Sequence, residues 1–98
     1  MDFEWDKNKA VENSKKHDGI TFEEASLVFF DDWAIEDFDE IHSNDGENRF
    51  VIVGLSGARV LRVVYTVREY DKIRIITAQK ALSLEREAYE YGRNKYDR

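Results

Sequence analysis

The spacing of apolar positions along this chain changes near its midpoint. Phe22, Ala25, Val28 and Phe29 recur at three- and four-residue steps, which places one stripe of a helix against a core. From residue 49 the pattern alternates instead, in β-branched and aromatic runs over 49–55, 60–68 and 72–77. The connectors 56–59 and 69–71 are short enough for hairpins, so these runs predict an antiparallel meander. Phe3-Glu4-Trp5 reads as a short opening strand, and Asp6 as the N-cap of a polar helix over 7–17 that stops at Gly19. Thr21 and Glu24 form a capping box for the second helix, which Asp31-Asp32 ends. Residues 33–38 read as a weak edge strand and 42–48 as an exposed polar loop. The segment from Lys80 to Tyr91, with Ala81, Leu84, Ala88 and Tyr91 on one face, reads as a terminal helix. The expected class is α+β: a compact antiparallel sheet with two N-terminal helices and one C-terminal helix.

At 98 residues and 11.6 kDa, with no proline and no Gly/Ser linker, the chain reads as one domain, 1–98, around one core. The absence of cysteine excludes disulfides, thiolate zinc sites and a cysteine nucleophile, and leaves two histidines for imidazole chemistry. No apolar run approaches the roughly 18 residues of a membrane span, and the acidic start is unlike a secretory signal, so the expected location is the cytoplasm. The net charge of −6 hides an asymmetry. Residues 1–48 carry four lysines against fifteen acids, whereas residues 49–98 carry eleven lysines and arginines against six acids.

A three-residue loop at 69–71 would pair Arg68 with Lys72 and Thr66 with Arg74, so that even-numbered residues from 62 to 78 share one face. That face collects Arg62, Thr66, Arg68, Lys72 and Arg74, a guanidinium cluster suited to phosphate or to ordinary solvation. Lys16-His17-Asp18-Gly19 ends the first helix, where His17 is suited either to proton exchange or to capping. His42 lies near Asp39 and Glu47 in sequence and reads as a surface residue. Two histidines 25 apart have no metal-ligand spacing, and the acids lack the order of a calcium loop, so neither metal nor cofactor is expected. Gly54-Leu55-Ser56-Gly57 matches neither a P-loop nor a nucleophile elbow. The hydrolysis most consistent with arginines and one or two proton carriers is RNA cleavage through the substrate's own 2′-hydroxyl.

Several blocks together carry a resemblance. They are Phe3-Glu4-Trp5-Asp6, the run from Asn13 to Ala25 containing Lys16-His17-Asp18-Gly19, His42-Ser43, Glu47-Asn48-Arg49, Ile52 to Ser56, Leu61 to Arg68, and Ile73 to Ala78. In this order the chain closely resembles the BrnT family of toxins. The resemblance implies a RelE-like fold and a ribonuclease that acts without metal and inhibits translation. It also implies a cognate antitoxin with a ribbon-helix-helix DNA-binding domain, to which any operator binding would belong. Carried onto this chain, it gives His17 as general acid or base, Arg68 and Arg74 as phosphate clamps, and Lys16 as phosphate ligand or modifier of His17. Glu47 joins this catalytic set; Arg62, Lys72, His42 and Lys80 are the expected RNA contacts. The family usually has arginine where this chain has Gln79. That departure frames the alternative, a catalytically weak or silent module that retains antitoxin binding.

Overall fold

A computed structural model describes residues 1–44 and 46–96. Its five strands are β1 (Phe3–Glu4), β2 (Ile35–Asn44), β3 (Glu47–Leu55), β4 (Val60–Arg68) and β5 (Lys72–Lys80). They form one sheet in the order β1-β5-β4-β3-β2, accompanied by helices α1 (Lys7–Lys16), α2 (Phe22–Ser26) and α3 (Ser83–Tyr96). The α+β architecture matches the sequence reading, with one departure in the sheet. Strand β1 joins β5 in parallel, so only the other four strands are antiparallel. The pair is sealed where the Ile73 N–H donates to the Asp2 carbonyl at 2.8 Å.

Asp6 caps α1 by accepting the N–H groups of Asn8 and Lys9. The helix ends through Asp18 and Gly19 at positive φ, with the Gly19 N–H on the Ser14 carbonyl at 2.9 Å. Its buried residue is polar: Asn13 accepts the Ala78 N–H at 3.0 Å and donates to the Ala78 carbonyl at 2.8 Å. Since β1 pairs only with Ile73 and Arg74, Asn13 satisfies the outer edge of β5 farther along, as a neighbouring strand would.

Thr21 caps α2 by accepting the Glu24 N–H, but the other half of the expected capping box is not made. The Glu24 carboxylate turns instead to Arg59, at 2.8 and 2.9 Å, and to the Ser56 hydroxyl at 2.7 Å. A cross-fold bidentate ion pair outcompetes a local cap. The second helix also ends early, at Ser26, and a 3-10 turn over Leu27–Phe30 carries Val28 into the core. Ile20, Phe22, Ala25 and Val28 pack there on Ile52, Leu61, Val63, Tyr65, Ile73 and Ile75.

The polar stretch after residue 38 is strand rather than loop as far as Asn44, and β3 begins at Glu47; Asp45 lies outside the described residues. Ser43 holds the two strands together where their register shifts: its hydroxyl donates to the Asp39 carbonyl at 2.6 Å and accepts the Arg49 N–H at 2.9 Å.

The three-residue β4–β5 turn is as expected, pairing Arg68 with Lys72 and Thr66 with Arg74. The parity then breaks. Tyr65 pairs with Ile75 but Val64 pairs with Thr77, so Ile76 is an inserted bulge residue. Ala78 therefore joins the core, and Gln79, opposite Arg62, takes the polar face in its place. Helix α3 also seats differently from a simple apolar stripe: Leu84 is 79% and Tyr91 71% exposed, whereas Tyr89 is 1% exposed. Two polar anchors, Arg62–Glu85 and Asp31–Tyr89, set that rotation.

Candidate functional site

The face of the sheet opposite the core holds a row of side chains running across all five strands. Glu4 lies beside Arg74, Arg74 beside Thr66, Thr66 beside Arg49, and Arg49 beside Asp39. Directly opposed residues share a face, so two arginines flank one threonine between two carboxylates. Thr66 is nearly buried and donates to the Asn48 carbonyl at 2.7 Å.

Acidic partners hold each cation of the row. Arg74 Nη1 lies 2.6 Å from Glu4 Oε2, and Lys72 Nζ reaches the other Glu4 oxygen at 4.0 Å. Arg49 Nε lies 2.9 Å from Glu47 Oε1, which makes Glu47 the partner of an arginine. His42 Nδ1 lies 2.7 Å from Asp39 Oδ2. A guanidinium carries five N–H donors, so one carboxylate contact leaves Arg74 and Arg49 able to take a phosphate as well. Arg68, at the β4–β5 turn opposite Lys72, is exposed and makes no ion pair among the described residues.

The remaining predicted residues lie apart from this row. Arg62 shares the face but is taken by Glu85 of α3, its Nε contacting both carboxylate oxygens at 3.1 and 3.0 Å. Between α3 and the sheet a cleft of about 310 Å³ has an apolar floor of Ile35, Val51 and Val53, with Asp37, Asp39 and Arg62 around it. Lys16 and His17 stand at the end of α1, on a cleft of about 200 Å³ beside Ile76 and Thr77. Lys80 joins that corner through Asp18 at 3.8 Å. Among the described residues no hydrogen bond or ion pair links this corner to the row. The described residues also contain no cluster of three His, Asp or Glu side chains placed to hold a metal ion.

Sequence reasoning passed over Arg49, Glu4 and Asp39 as site residues. A signal for Arg49 existed: the four-residue connector 56–59 sets Leu55 opposite Val60, and counting back puts Arg49 opposite Thr66. Glu4 had none, because the parallel β1–β5 pair joins the two ends of the fold.

The strongest electrostatic perturbations lie elsewhere and are structural. Burial pushes Asp31 up, but hydrogen bonds from the Leu55 N–H, the Tyr89 hydroxyl and the Trp33 N–H outweigh it and leave the carboxyl below its usual range. Burial and a hydrogen bond to Glu36 push the Tyr65 hydroxyl well up.

A protein-family model described as "Ribonuclease toxin, BrnT, of type II toxin-antitoxin system" matches residues 5–85. Among solved structures the chain is similar to the 1.1 Å crystal structure of the Brucella abortus ribonuclease toxin BrnT. The TM-score is 0.62 at 19% sequence identity, covering 85% of this chain and 99% of that one. No curated protein sequence matches the chain significantly.

Proposed function

This chain belongs to the BrnT family of ribonuclease toxins of type II toxin–antitoxin systems, and we propose that it cleaves RNA on the polar face of its sheet by activating the RNA's own 2′-hydroxyl, without a metal ion. Membership in such a system implies a cognate antitoxin as partner. The observation that carries the reading is the row itself: Arg74 on β5 and Arg49 on β3, flanking Thr66 of the strand between them, with Arg68 and Lys72 at its open end. Guanidiniums fixed in this way stabilise the charge that builds on a phosphate during in-line attack. RNA supplies the nucleophile, so the protein need only hold the phosphate and move protons.

In this reading Arg74 and Arg68 contact phosphates, Lys72 and Arg62 extend the cationic surface, and Glu47 holds Arg49 in place. Lys16, His17 and Lys80 contact the RNA strand at the edge of β5. His17, the proton carrier expected from sequence, stands at the α1 corner, away from the row. The target is cytoplasmic RNA, and its loss halts translation. The antitoxin carries a ribbon-helix-helix domain, and operator DNA is bound by the antitoxin rather than by this chain.

The test is induced expression of the chain alone in a bacterial host, with growth, total RNA and protein synthesis followed over time. Arrest with RNA loss, reversed by the antitoxin, is the expected result, and cleavage by the purified chain should persist in EDTA. A soluble, folded chain that causes no arrest would overturn the reading. One observation favours the alternative of a silent antitoxin-binding module: Gln79 sits opposite Arg62 on the polar face, where an arginine would add a cation. Under that alternative, Gln79→Arg should gain activity.

A further inference from the structure

Two histidines are available for proton transfer, and the sheet separates them. His42 is on β2 and His17 lies past the outer edge of β5; those strands are three interstrand steps apart, about 14 Å. A phosphate within reach of one is out of reach of the other.

The row decides between them. Asp39 is the register partner of Arg49, and His42 is hydrogen-bonded to Asp39. The Asp39 side chain is 12% exposed and that of His42 65%, so a largely buried carboxylate anchors an imidazole that stays open to a ligand. A carboxylate on Nδ1 fixes the tautomer with the proton there and leaves the lone pair on Nε2. The Asp39 carboxylate also borders the 310 Å³ cleft, whose apolar floor suits the flat face of a nucleobase. Phosphate ligand, oriented imidazole and base-sized cleft therefore meet at the β2–β3 end of the row. At the α1 corner the structure offers His17 no such carboxylate partner in any ion pair of the described residues.

We propose that His42 is the catalytic base of the ribonuclease, positioned by Asp39, and acts on the nucleotide whose phosphate Arg49 binds. This rests on the ribonuclease reading above and moves proton transfer from the α1 corner to the β2–β3 end of the row. In the step, His42 Nε2 takes the 2′-hydroxyl proton, O2′ bonds to phosphorus, and the P–O5′ bond breaks. O5′ leaves with a proton from water, and the imidazolium returns its proton to solvent. The products are a 2′,3′-cyclic phosphate end and a 5′-hydroxyl end. Asp39 balances the imidazolium charge while it exists, and is a positioning residue.

The test is steady-state cleavage of a defined single-stranded RNA by the purified chain, comparing wild type with His42→Ala, Asp39→Asn and His17→Ala. His42→Ala should lower kcat by about 100-fold or more with KM nearly unchanged, and added imidazole should restore part of the loss. Asp39→Asn should lower kcat by about 10-fold or more and leave KM unchanged. Since His42 is exposed, its melting curve should match the wild type; if His42→Ala misfolds, His42→Gln replaces it. Full activity in the folded His42 variant, or loss confined to His17→Ala, overturns the assignment. A wild type that cuts no RNA overturns the ribonuclease reading and this step with it.

Discussion

The Tyr89 hydroxyl donates to Asp31 Oδ2 at 2.5 Å, tying the last helix to the turn before β2. The same carboxylate accepts the Leu55 N–H at 2.8 Å and the Trp33 N–H at 3.0 Å, so one side chain joins α3, the end of β3 and the turn that leads into β2. Tyr89→Phe removes a hydrogen bond to a charged acceptor without changing the ring, and should cost about 1–2 kcal/mol in thermal or urea unfolding. Burial, then the Asp31 carboxylate, pushes the Tyr89 hydroxyl up to about 12. A raised pKa gives stability that is complete below the unfolded value near 10 and is lost as pH climbs towards 12. Melting temperature should fall over that range, less steeply in Tyr89→Phe; an identical slope in both proteins would exclude the contribution.

The acid side has the opposite sign. Asp31 and Glu24 both lie below their ordinary values; for Glu24 the Arg59 hydrogen bond is the main cause. A lowered folded pKa contributes stability present above the unfolded value near 4, which drains away as pH falls through the folded one. Urea midpoints measured from pH 7 down to pH 3 should drop, and Glu24→Gln should start lower and drop less.

Gly54 is the most closely packed of the glycines. A Cβ there would stand 2.9 Å from Val28 Cγ1, 3.0 Å from Ala34 Cβ and 3.1 Å from Asp31 Oδ2. Gly54→Ala should destabilise by about 1–3 kcal/mol through forced repacking, readable as a lower melting temperature.

Arg62 and Arg68 lie on the same strand and should respond in opposite ways. Arg62 is held by Glu85, so Arg62→Met should lower stability by about 1 kcal/mol and be mirrored by Glu85→Gln. Arg68 is exposed, so Arg68→Ala should leave the melting curve unchanged and weaken RNA cleavage by about 10-fold or more. A large melting loss in Arg68→Ala would show it to be structural and remove it from the site.

Local signals in the chain were dependable. Asp6 and Thr21 cap the helices they precede, Gly19 ends α1, and the three-residue turn at 69–71 fixes Arg68 opposite Lys72. These depend on neighbours a few residues apart, which sequence spacing reports directly. The Ile76 bulge was not visible, because Ile75-Ile76-Thr77 alternates as plausibly with the extra residue as without it. The inward face of α3 was also misleading. A stripe containing Leu84 and Tyr91 has the apolar period, yet Asp31 and Arg62, far away in the chain, turn Tyr89 and Glu85 inward.

By itself, then, the sequence indicated most of the helices and strands, their α+β class, and which cations are candidates for phosphate. Only the tertiary structure decided which cations stand together. Arg49 and Arg74 meet through β4, Glu4 reaches Arg74 from the other end of the chain, and His42 joins the row while His17 stays outside it. The reason is physical: short-range periodicity sets what each segment is, whereas strand order and register, which place distant residues side by side, follow from packing the whole core at once.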